Sequence, residues 1–512
     1  MSETLTASQT KPEPRILRLD NNDNVVIAVD RLEKGHSAFG VVASDVIPRG
    51  HKMAVAVIEK DAPVRKFGSV IGTAKARIEP GHWVHEHNVS VAGMAESHEF
   101  GSQSIVLPQV VPATFQGYRR QSGQAGTRNF IGILASVNCS ASVARFAAEE
   151  IERSGLLEQF PGVDGIVPIM HGTGCGMASR GEGFDILQRT LWGYASHPNF
   201  AAVMMVGLGC EVFQIGGMKS AYNLQESESF RTLTIQETGG TRRAVATIVD
   251  AVREMLPQAA CAKREEIPAS ELVLGLQCGG SDGFSALTAN PALGVASDML
   301  VAQGGCSILS ETPEIYGAEH LLTQRAANAE IGHQLMDRLH WWEDYTARNG
   351  GEMNNNPSPG NKAGGLTTIL EKSLGAVAKS GKAPLSAVYR YAEPVYQRGL
   401  VFMDTPGYDP VSATGQVAGG ANMICFTTGR GSAFGCKPTP SLKLATNSDI
   451  YRRMPDDMDI DCGEVLDGVS IEQKGREIFD KLLRVASGER TKSEQLGYGD
   501  AEFVPWQVGA VM

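Results

Sequence analysis

Four cysteines stand where separate apolar segments of the chain end, and such a set can support metal chemistry. The segments are ILASVNC, ending at Cys139; GIVPIM with its HGTGCG extension, reaching Cys175; MMVGLGC, ending at Cys210; and LGLQC, ending at Cys278. Parallel strands place their carboxyl ends at one edge of a sheet, where ligands bind. A single cysteine usually just fills a buried strand end, but recurrence in four segments favours a shared site.

The chemistry of such a site depends on how many thiolates take part. Three thiolates, from Cys139, Cys175 and Cys278, can hold an iron–sulfur cluster. One or two thiolates, such as Cys210, can instead join harder ligands such as Glu211 in binding Fe(II) or Zn(II). The sequence leaves both alternatives open.

A pair of histidines in GHWVHEHN is a second candidate for metal binding. His85 and His87 are separated by one residue, and side chains two residues apart share one face of a β-strand, so both imidazoles would point at one metal. Two exposed histidines on a polar edge strand are the simpler interpretation. Nearby His82 and Asn88 favour a functional cluster.

Charged residues near the apolar segments are candidates for acid–base chemistry. Asp282 follows CGGS, SETPE contains Glu311 and Glu314, and Lys362 lies in NPSPGNK. Carboxylates ligate divalent ions or accept protons, and a buried lysine binds a carboxylate or accepts a proton. Each residue alone could equally be a surface charge or a helix cap.

Glycines and one arginine suggest where an anionic substrate would bind. Gly279 and Gly280 directly follow Cys278, and their lack of a side chain lets backbone amides approach an anion. Arg430 in TTGRG is typical of a guanidinium that holds a carboxylate with two hydrogen bonds.

The elements that must position these residues follow two patterns. Behind a loose polar tail at 1–15, short alternating runs between turns predict a small antiparallel β domain over 16–91, and 92–112 is predicted to be a linker. Later, buried strands alternate with amphipathic helices, which is typical of an α/β region with mostly parallel sheets. We divide that region into domains at 113–350 and 351–512.

Length and charge exclude several classes of protein. The chain has 512 residues, too many for one hydrophobic core, and a formal net charge of -11. An acidic chain lacks the basic surface that nucleic acids require, and no apolar run approaches the ~20 residues that cross a bilayer. The nine cysteines show no disulfide-like spacing, so we expect a cytoplasmic protein with reduced thiols.

Longer motifs resemble those of the altronate and galactarate dehydratases. They are VHEHN at 84–88, GYRRQSGQAGTRN at 117–129, GLGCE at 207–211, CGGSDGFSALTANP at 278–291, NPSPGNKAGG at 356–365 and TTGRG at 427–431. Such long motifs, in an order that covers residues 23–488, are far more specific than a single glycine-rich turn. The resemblance implies a β-clip (SAF) domain followed by a large α/β catalytic region.

The resemblance also implies an activity: loss of water from a six-carbon sugar acid to give a 2-keto-3-deoxy acid, with Fe(II), Mn(II) or a similar metal. VHEHN is more similar to altronate dehydratases, so the expected reaction converts D-altronate to 2-keto-3-deoxy-D-gluconate in a homo-oligomer, a dimer. Galactarate, another aldonate or aldarate, and a sulfolactate-type lyase are the alternatives. Thr173, Ser432 and Phe434 depart from the family pattern, which changes the groups available to substrate hydroxyls.

β-Elimination requires a base beside the substrate carboxylate and a Lewis acid for the departing hydroxyl. The hypothesis assigns metal binding to His85, His87, Glu211 and Cys210; catalysis to Lys362, Glu311 and Asp282; and substrate binding to Ser281, Asn361, Arg430, Gly279 and Gly280.

Overall fold

The computed structural model describes residues 13–91, 98–103 and 105–512. Most of the predicted tail and part of the predicted linker lie outside these residues. The described chain divides into two units, the first formed by 13–91 with Pro357–Lys372 and the second by the remaining residues.

Strands and helices occur in the order that the sequence pattern predicts, short strands first and alternating strands and helices afterwards. The strands are β1 Ile16–Leu17, β2 Val25–Ala28, β3 Ser37–Ala38, β4 Val41–Val42, β5 Lys52–Ala54, β6 Pro63–Lys66, β7 Ser69–Ala74, β8 Trp83–Val84, β9 Val89–Ser90, β10 Thr114–Arg119, β11 Ala125–Gly126, β12 Phe130–Ala135, β13 Gly165–Ile169, β14 Phe200–Gly207, β15 Phe230–Thr234, β16 Glu265–Pro268, β17 Val273–Cys278, β18 Cys306–Leu309, β19 Leu385–Tyr389, β20 Gly399–Met403, β21 Met423–Thr428, β22 Ser441–Ala445 and β23 Ile460–Asp461. The helices are α1 Asn138–Arg153, α2 Glu182–Ala195, α3 Ile215–Ala221, α4 Ile235–Thr238, α5 Thr241–Ala260, α6 Ala289–Ala302, α7 His320–Thr323, α8 Ala329–Arg348, α9 Pro359–Ala363, α10 Ile369–Val377, α11 Asp409–Ala418, α12 Ser448–Arg453, α13 Ile471–Ala486 and α14 Lys492–Leu496.

The first unit is antiparallel β structure. A four-stranded sheet has the order β1-β2-β5-β8, and β6, β7 and β9 form a three-stranded sheet. Pro357–Lys372 belongs to this unit and not to the C-terminal α/β region in which the sequence analysis placed it. The reason is a buried ion pair, because Glu371 lies 2.8 Å from the Nζ atoms of Lys52 and Lys66.

The second unit contains two parallel sheets, so the predicted α/β fold class is confirmed. The smaller sheet has the order β13-β12-β14-β15, and the larger one has the order β19-β20-β18-β17-β21-β22-β23. The larger sheet takes strands from both sides of residue 350, where the sequence analysis divided the region. The sheet crosses that boundary because β18 pairs with β20 and β17 pairs with β21.

Helices cover both faces of the seven-stranded sheet. Leu276 and Cys425 pack in one core with residues of α6 and α13. Phe426, the neighbour of Cys425 in β21, packs in a second core with Val417 of α11. This alternation is what a strand buried on both faces requires. No described helix is long and apolar enough to span a membrane.

Candidate active site

The strand order of the seven-stranded sheet reverses beside β17. The connection through α6 leads from β17 to β18 on one side, whereas α11 leads from β20 across to β21 on the other. The two helices lie on opposite faces of the sheet. In open α/β sheets, ligands bind outside the carboxyl ends of the strands at such a reversal. The last residue of β17 is Cys278.

Cys278 lies in a buried cluster with Glu311, Glu314 and Lys379, here called the Cys278 cluster. Its Sγ is 2.9 Å from Glu314 Oε2 and 2.8 Å from Lys379 Nζ. Lys379 Nζ is also 3.3 Å from Glu311 Oε2. Each of the four residues is at most 2% exposed. One ammonium therefore faces a thiol and two carboxyl groups without surrounding solvent.

The backbone at Glu311 is held in an unusual conformation. Glu311 directly follows Ser310 at the end of β18 and has φ 70°, in the left-handed region that non-glycine residues rarely adopt. Its N–H donates to Thr405 Oγ1 at 2.9 Å, and the N–H of Thr312 donates to the Thr405 carbonyl at 2.9 Å. Strain of this kind persists where the surrounding structure holds it, commonly at functional sites.

Electrostatics keep Lys379 charged. Burial alone would lower the pKa of Lys379, but the Cys278 thiol and the carboxylates of Glu311 and Glu314 raise it above its ordinary value. The three acidic groups of the cluster, those of Cys278, Glu311 and Glu314, still outnumber the single ammonium of Lys379. The cluster must therefore retain a proton, as the Cys278 thiol donating to Glu314 does, or accept a cation in its place.

The donor atoms of the cluster fit a divalent cation. Cys278, Glu311 and Glu314 each offer one ligand atom, and these atoms lie within 4.8 Å of one another. Across the described ranges, this is the one group of three or more histidine, cysteine or acidic side chains that meets that spacing. A thiolate with carboxylates suits a metal of intermediate hardness such as Fe(II).

The histidine pair does not have the predicted geometry. β8 ends at Val84, and residues 85–88 form a turn, so the prediction that His85 and His87 share one strand face is wrong. His85 is buried, with its ring 5.2 Å from Trp83 and 4.9 Å from His51, whereas His87 is exposed. Burial, followed by the charge of Lys52, lowers the pKa of His85 to about 4, so the imidazole is neutral near pH 7.

Glu211 and Cys210 form the loop after β14. The Glu211 carboxylate accepts hydrogen bonds from Ser136 Oγ at 2.9 Å and from the N–H groups of Leu208 at 3.1 Å and Gly209 at 2.6 Å. Cys210 is exposed. Glu211 thus closes its own loop, and neither residue belongs to a group of described side chains with metal-ligand spacing.

The four thiols do not share one sheet edge. Cys139, Cys175 and Cys210 follow β12, β13 and β14 of the four-stranded sheet and are exposed, whereas Cys278 is buried at the end of β17 in the other sheet. The expected convergence of all four is therefore wrong, because the chain builds two sheets where the sequence pattern suggests one series of strands.

Asp282 stabilises the loop after β17. Its Oδ1 accepts hydrogen bonds from the N–H groups of Phe284 and Ser285 and from the hydroxyls of Ser285 and Thr446 at 2.9 to 3.1 Å. Asn447 donates to its Oδ2 at 3.1 Å. A carboxylate with so many donors holds the loop to the end of β22, which differs from the predicted catalytic role.

The predicted substrate-binding residues lie at the reversal of strand order. Gly279, Gly280 and Ser281 follow β17, and Arg430 follows β21; the N–H of Arg430 donates to the Gly280 carbonyl at 3.0 Å. A Cβ on Gly279 would lie 2.2 Å from Asp409 Oδ2 and 2.5 Å from Cζ of the buried Phe426, so any larger residue would force these side chains to shift. Ser281 is buried and Arg430 is exposed.

Lys362 and Asn361 belong to the first unit. Lys362 Nζ lies 3.0 Å from Glu86 Oε2. Asn361 forms a capping box with Ser358 at the start of α9. The capping box gives a structural reason for an asparagine at this position, separate from any role in substrate binding.

The sequence analysis missed Lys379. The signal available was one charged residue in the apolar stretch GAVAKSG at the end of α10. Glu314 was noted as a charged residue but was given no role. Both are recognisable only once Cys278 and Glu311 lie beside them.

Comparison with known proteins covers almost the whole chain. Family models match as the altronate/galactarate dehydratase SAF domain over 14–92, the D-galactarate dehydratase/altronate hydrolase second domain over 117–260, and the D-galactarate/altronate dehydratase C-terminal domain over 269–511. The fold and these matches define a hydro-lyase with a SAF domain and an α/β catalytic region.

Individual relatives agree with this class. The chain is 35% identical over 496 residues to altronate dehydratase of Bacillus subtilis (strain 168), covering 94% of this chain and 96% of the relative. It is 38% identical over 503 residues to galactarate dehydratase (L-threo-forming) of Escherichia coli (strain K12), covering 96% of each. Altronate dehydratase of the same strain is 33% identical over 481 residues, 92% of this chain and 95% of the relative. The chain belongs to the D-galactarate/altronate dehydratase family.

Proposed function

We propose that the chain removes water from a six-carbon sugar acid at the Cys278 cluster, converting D-altronate to 2-keto-3-deoxy-D-gluconate. The observation that carries this proposal is the buried group of thiol, carboxylates and ammonium at the carboxyl end of β17. It lies where strand order reverses, the position at which open α/β sheets bind ligands.

The reaction needs a proton acceptor beside the substrate carboxylate. The proton of the C–H bond next to the carboxylate passes to the acceptor, and the C–O bond at the neighbouring carbon breaks. The departing hydroxyl leaves as water with a proton returned by the acceptor, and the enol that remains becomes the 2-keto-3-deoxy acid. We assign Glu311 as the acceptor, because its carboxylate is buried and Lys379 holds it from 3.3 Å. The Gly279–Ser281 loop and Arg430 would bind the carboxylate of the substrate.

The remaining acidic pair would hold a divalent cation, Fe(II) or Mn(II). Cys278 Sγ and Glu314 Oε2 are 2.9 Å apart, so the pair keeps one proton unless a cation takes its place. When bound, such a cation supplies a Lewis acid that polarises substrate oxygens. Lys379 then positions both Cys278 and Glu311 by donating to each.

Galactarate is a second candidate substrate, because the relative named galactarate dehydratase is 38% identical to this chain, against 35% and 33% for the two altronate dehydratases. A panel of aldonates and aldarates, incubated with Fe(II)- or Mn(II)-loaded protein and scored for 2-keto-3-deoxy acid, tests the proposal. Turnover of altronate above galactarate is the expected result. Turnover of no sugar acid would contradict the dehydratase proposal, and release of sulfite from sulfolactate would indicate the alternative lyase.

Glu311→Gln tests the role of the carboxylate. We expect kcat to fall about 10³-fold, the range for loss of a general base, with the bound metal retained. Glu149→Gln, which changes an exposed carboxylate paired with Arg145 on α1, is the control and should be neutral. If Glu311→Gln loses its metal, Glu311 is a ligand and not the base.

Two further expectations are checked on the same preparation. Protein purified without oxygen should contain one iron and no acid-labile sulfide. Stoichiometric sulfide with broad visible absorbance would favour the iron–sulfur alternative. Light scattering should give the mass of a dimer, and a monomer would contradict that expectation.

A further inference from the structure

A buried set of polar side chains lies behind the Cys278 cluster, here called the Thr405 network. It consists of Gln277, Ser310, Thr405, Ser412 and Gln416, each at most 1% exposed. Gln277 immediately precedes Cys278, and Ser310 immediately precedes Glu311. Alternation along β17 places Gln277 on the sheet face opposite Cys278, the face that α11 covers.

Hydrogen bonds make this set continuous. Gln277 Nε2 donates to Ser412 Oγ at 2.8 Å and to Gln416 Oε1 at 2.9 Å. Ser412 Oγ lies 2.9 Å from Ser310 Oγ and 2.7 Å from Thr405 Oγ1. Ser412 and Gln416 are four residues apart on α11, so they present both groups from one helix face. The helix thereby joins the ends of β17, β18 and β20.

The network ends on the strained residue of the site. Thr405 Oγ1 accepts the N–H of Glu311, whose φ is 70°. The network contacts the backbone at Glu311, whereas the Glu311 side chain faces Lys379. A change in the network would therefore reorient the carboxylate without removing any group of the cluster.

Stability alone does not account for the network. Five buried polar side chains cost desolvation, and Gln277 Oε1 is buried without a hydrogen-bond partner among the described residues. Apolar side chains of the same size would avoid that cost. Gly275 makes room for the network as well, because a Cβ there would lie 2.4 Å from Gln416 Oε1.

We infer that the Thr405 network is a positioning device for catalysis, with Thr405 as its key positioning residue, and this inference rests on the function proposed for the Cys278 cluster. It acts through hydrogen bonds to the Glu311 backbone. Its loss should lower kcat and leave KM nearly unchanged, because the network meets the site at the backbone of Glu311, the proposed proton acceptor.

A pair of variants at one position tests this inference. Thr405→Val keeps the shape and removes the hydroxyl, whereas Thr405→Ser keeps the hydroxyl. We expect Thr405→Val to lower kcat about 10- to 100-fold, as a small misplacement of a reacting group does, with KM within about twofold. Thr405→Ser should retain most of the wild-type kcat, a rescue that a purely structural role of the side chain does not predict.

Ser307→Ala is the control for loss of a buried hydroxyl. Ser307 lies in β18, and its Oγ has no hydrogen-bond partner among the described residues, so its kcat should equal that of wild type. Equal kcat for Thr405→Val and wild type, or equal losses in both Thr405 variants, would overturn the inference. If Thr405→Val does not fold, Ser412→Ala replaces it. Its kcat should also fall about 10- to 100-fold with KM within about twofold, and a kcat equal to that of wild type would overturn the inference. Absence of turnover in wild type and Ser307→Ala alike would instead contradict the proposed function.

Discussion

The two units each bury a cluster of charged side chains, but in opposite proportions. In the first unit, two ammonium groups, those of Lys52 and Lys66, lie 2.8 Å from one carboxylate, that of Glu371. In the second, the single ammonium of Lys379 faces Cys278 and two carboxyl groups. Burial is equally deep in both, so it does not separate a structural cluster from a reactive one.

The two clusters differ in the balance between hydrogen-bond donors and acidic groups. The Glu371 oxygens accept from both lysines and from the N–H and Oγ1 of Thr367. Burial would raise the pKa of Glu371, but the lysine charges outweigh it and lower the pKa below its ordinary value. Lys52 also donates to the Gly365 carbonyl at 2.6 Å, so these bonds hold Pro357–Lys372 in the unit through both its backbone and Glu371. The Cys278 cluster has more acid than ammonium and can exchange a proton or accept a cation.

The largest effect is expected from Glu371→Gln. It leaves two buried ammonium groups without a carboxylate, which should cost about 3–5 kcal/mol of unfolding free energy in the first unit. Amide hydrogen exchange in β2 and β5 measures it. Glu86→Gln, which removes the partly exposed Lys362 pair, is the control and should cost less than about 1 kcal/mol. If Glu371→Gln and Glu86→Gln lose the same unfolding free energy, the buried Glu371 cluster stabilises the unit no more than an exposed ion pair does.

Cys278→Ser should affect turnover and not stability, whereas the effect expected of Glu371→Gln is on stability. A hydroxyl can still accept from Lys379, so we expect the stability of the second unit to change little, while kcat falls about 10²-fold as for loss of a preorganised electrostatic group. Cys306→Ser is the matched control, because Cys306 is buried in an apolar cluster of the neighbouring strand. It should lower the melting temperature and leave kcat unchanged. If Cys278→Ser keeps wild-type turnover, the thiol has no part in the reaction.

Lys52 should produce the smallest effect. Burial lowers its pKa from 10.5 to about 8, so between these pH values the unfolded chain binds more protons, and stability rises with pH. Lys52→Met leaves a balanced Lys66–Glu371 pair, so stability at pH 7 should change by only about 1 kcal/mol.

The measurement is hydrogen exchange of β2 from pH 7 to 10.5. In the wild type, the unfolding free energy of the first unit should rise above about pH 8, and this rise should be absent in Lys52→Met. A rise that persists in the variant would show that Lys52 does not cause it.

Much of the fold could be predicted, because its signals are local. The apolar segment before Cys278 predicts a strand, and the short alternating runs over 16–91 predict an antiparallel β domain; both are present. The division at residue 350 differs from the structure because strand pairing, which decides domain membership, depends on contacts between residues far apart in the chain. The histidine pair was misplaced because β8 ends at Val84, three residues before His87, and the chain turns there.

The sequence by itself determined the family, the order of strands and helices, and the presence of Cys278 and Glu311 after buried strands. Only the tertiary structure decided which of the predicted residues meet. It placed Cys278 apart from the other thiols, made Asp282 an acceptor within its own loop, and placed Lys379, from the 3-10 turn after α10, beside Cys278. The physical reason is that spacing along the chain specifies which side chains follow a strand, whereas strand order in each sheet specifies which strand ends are neighbours.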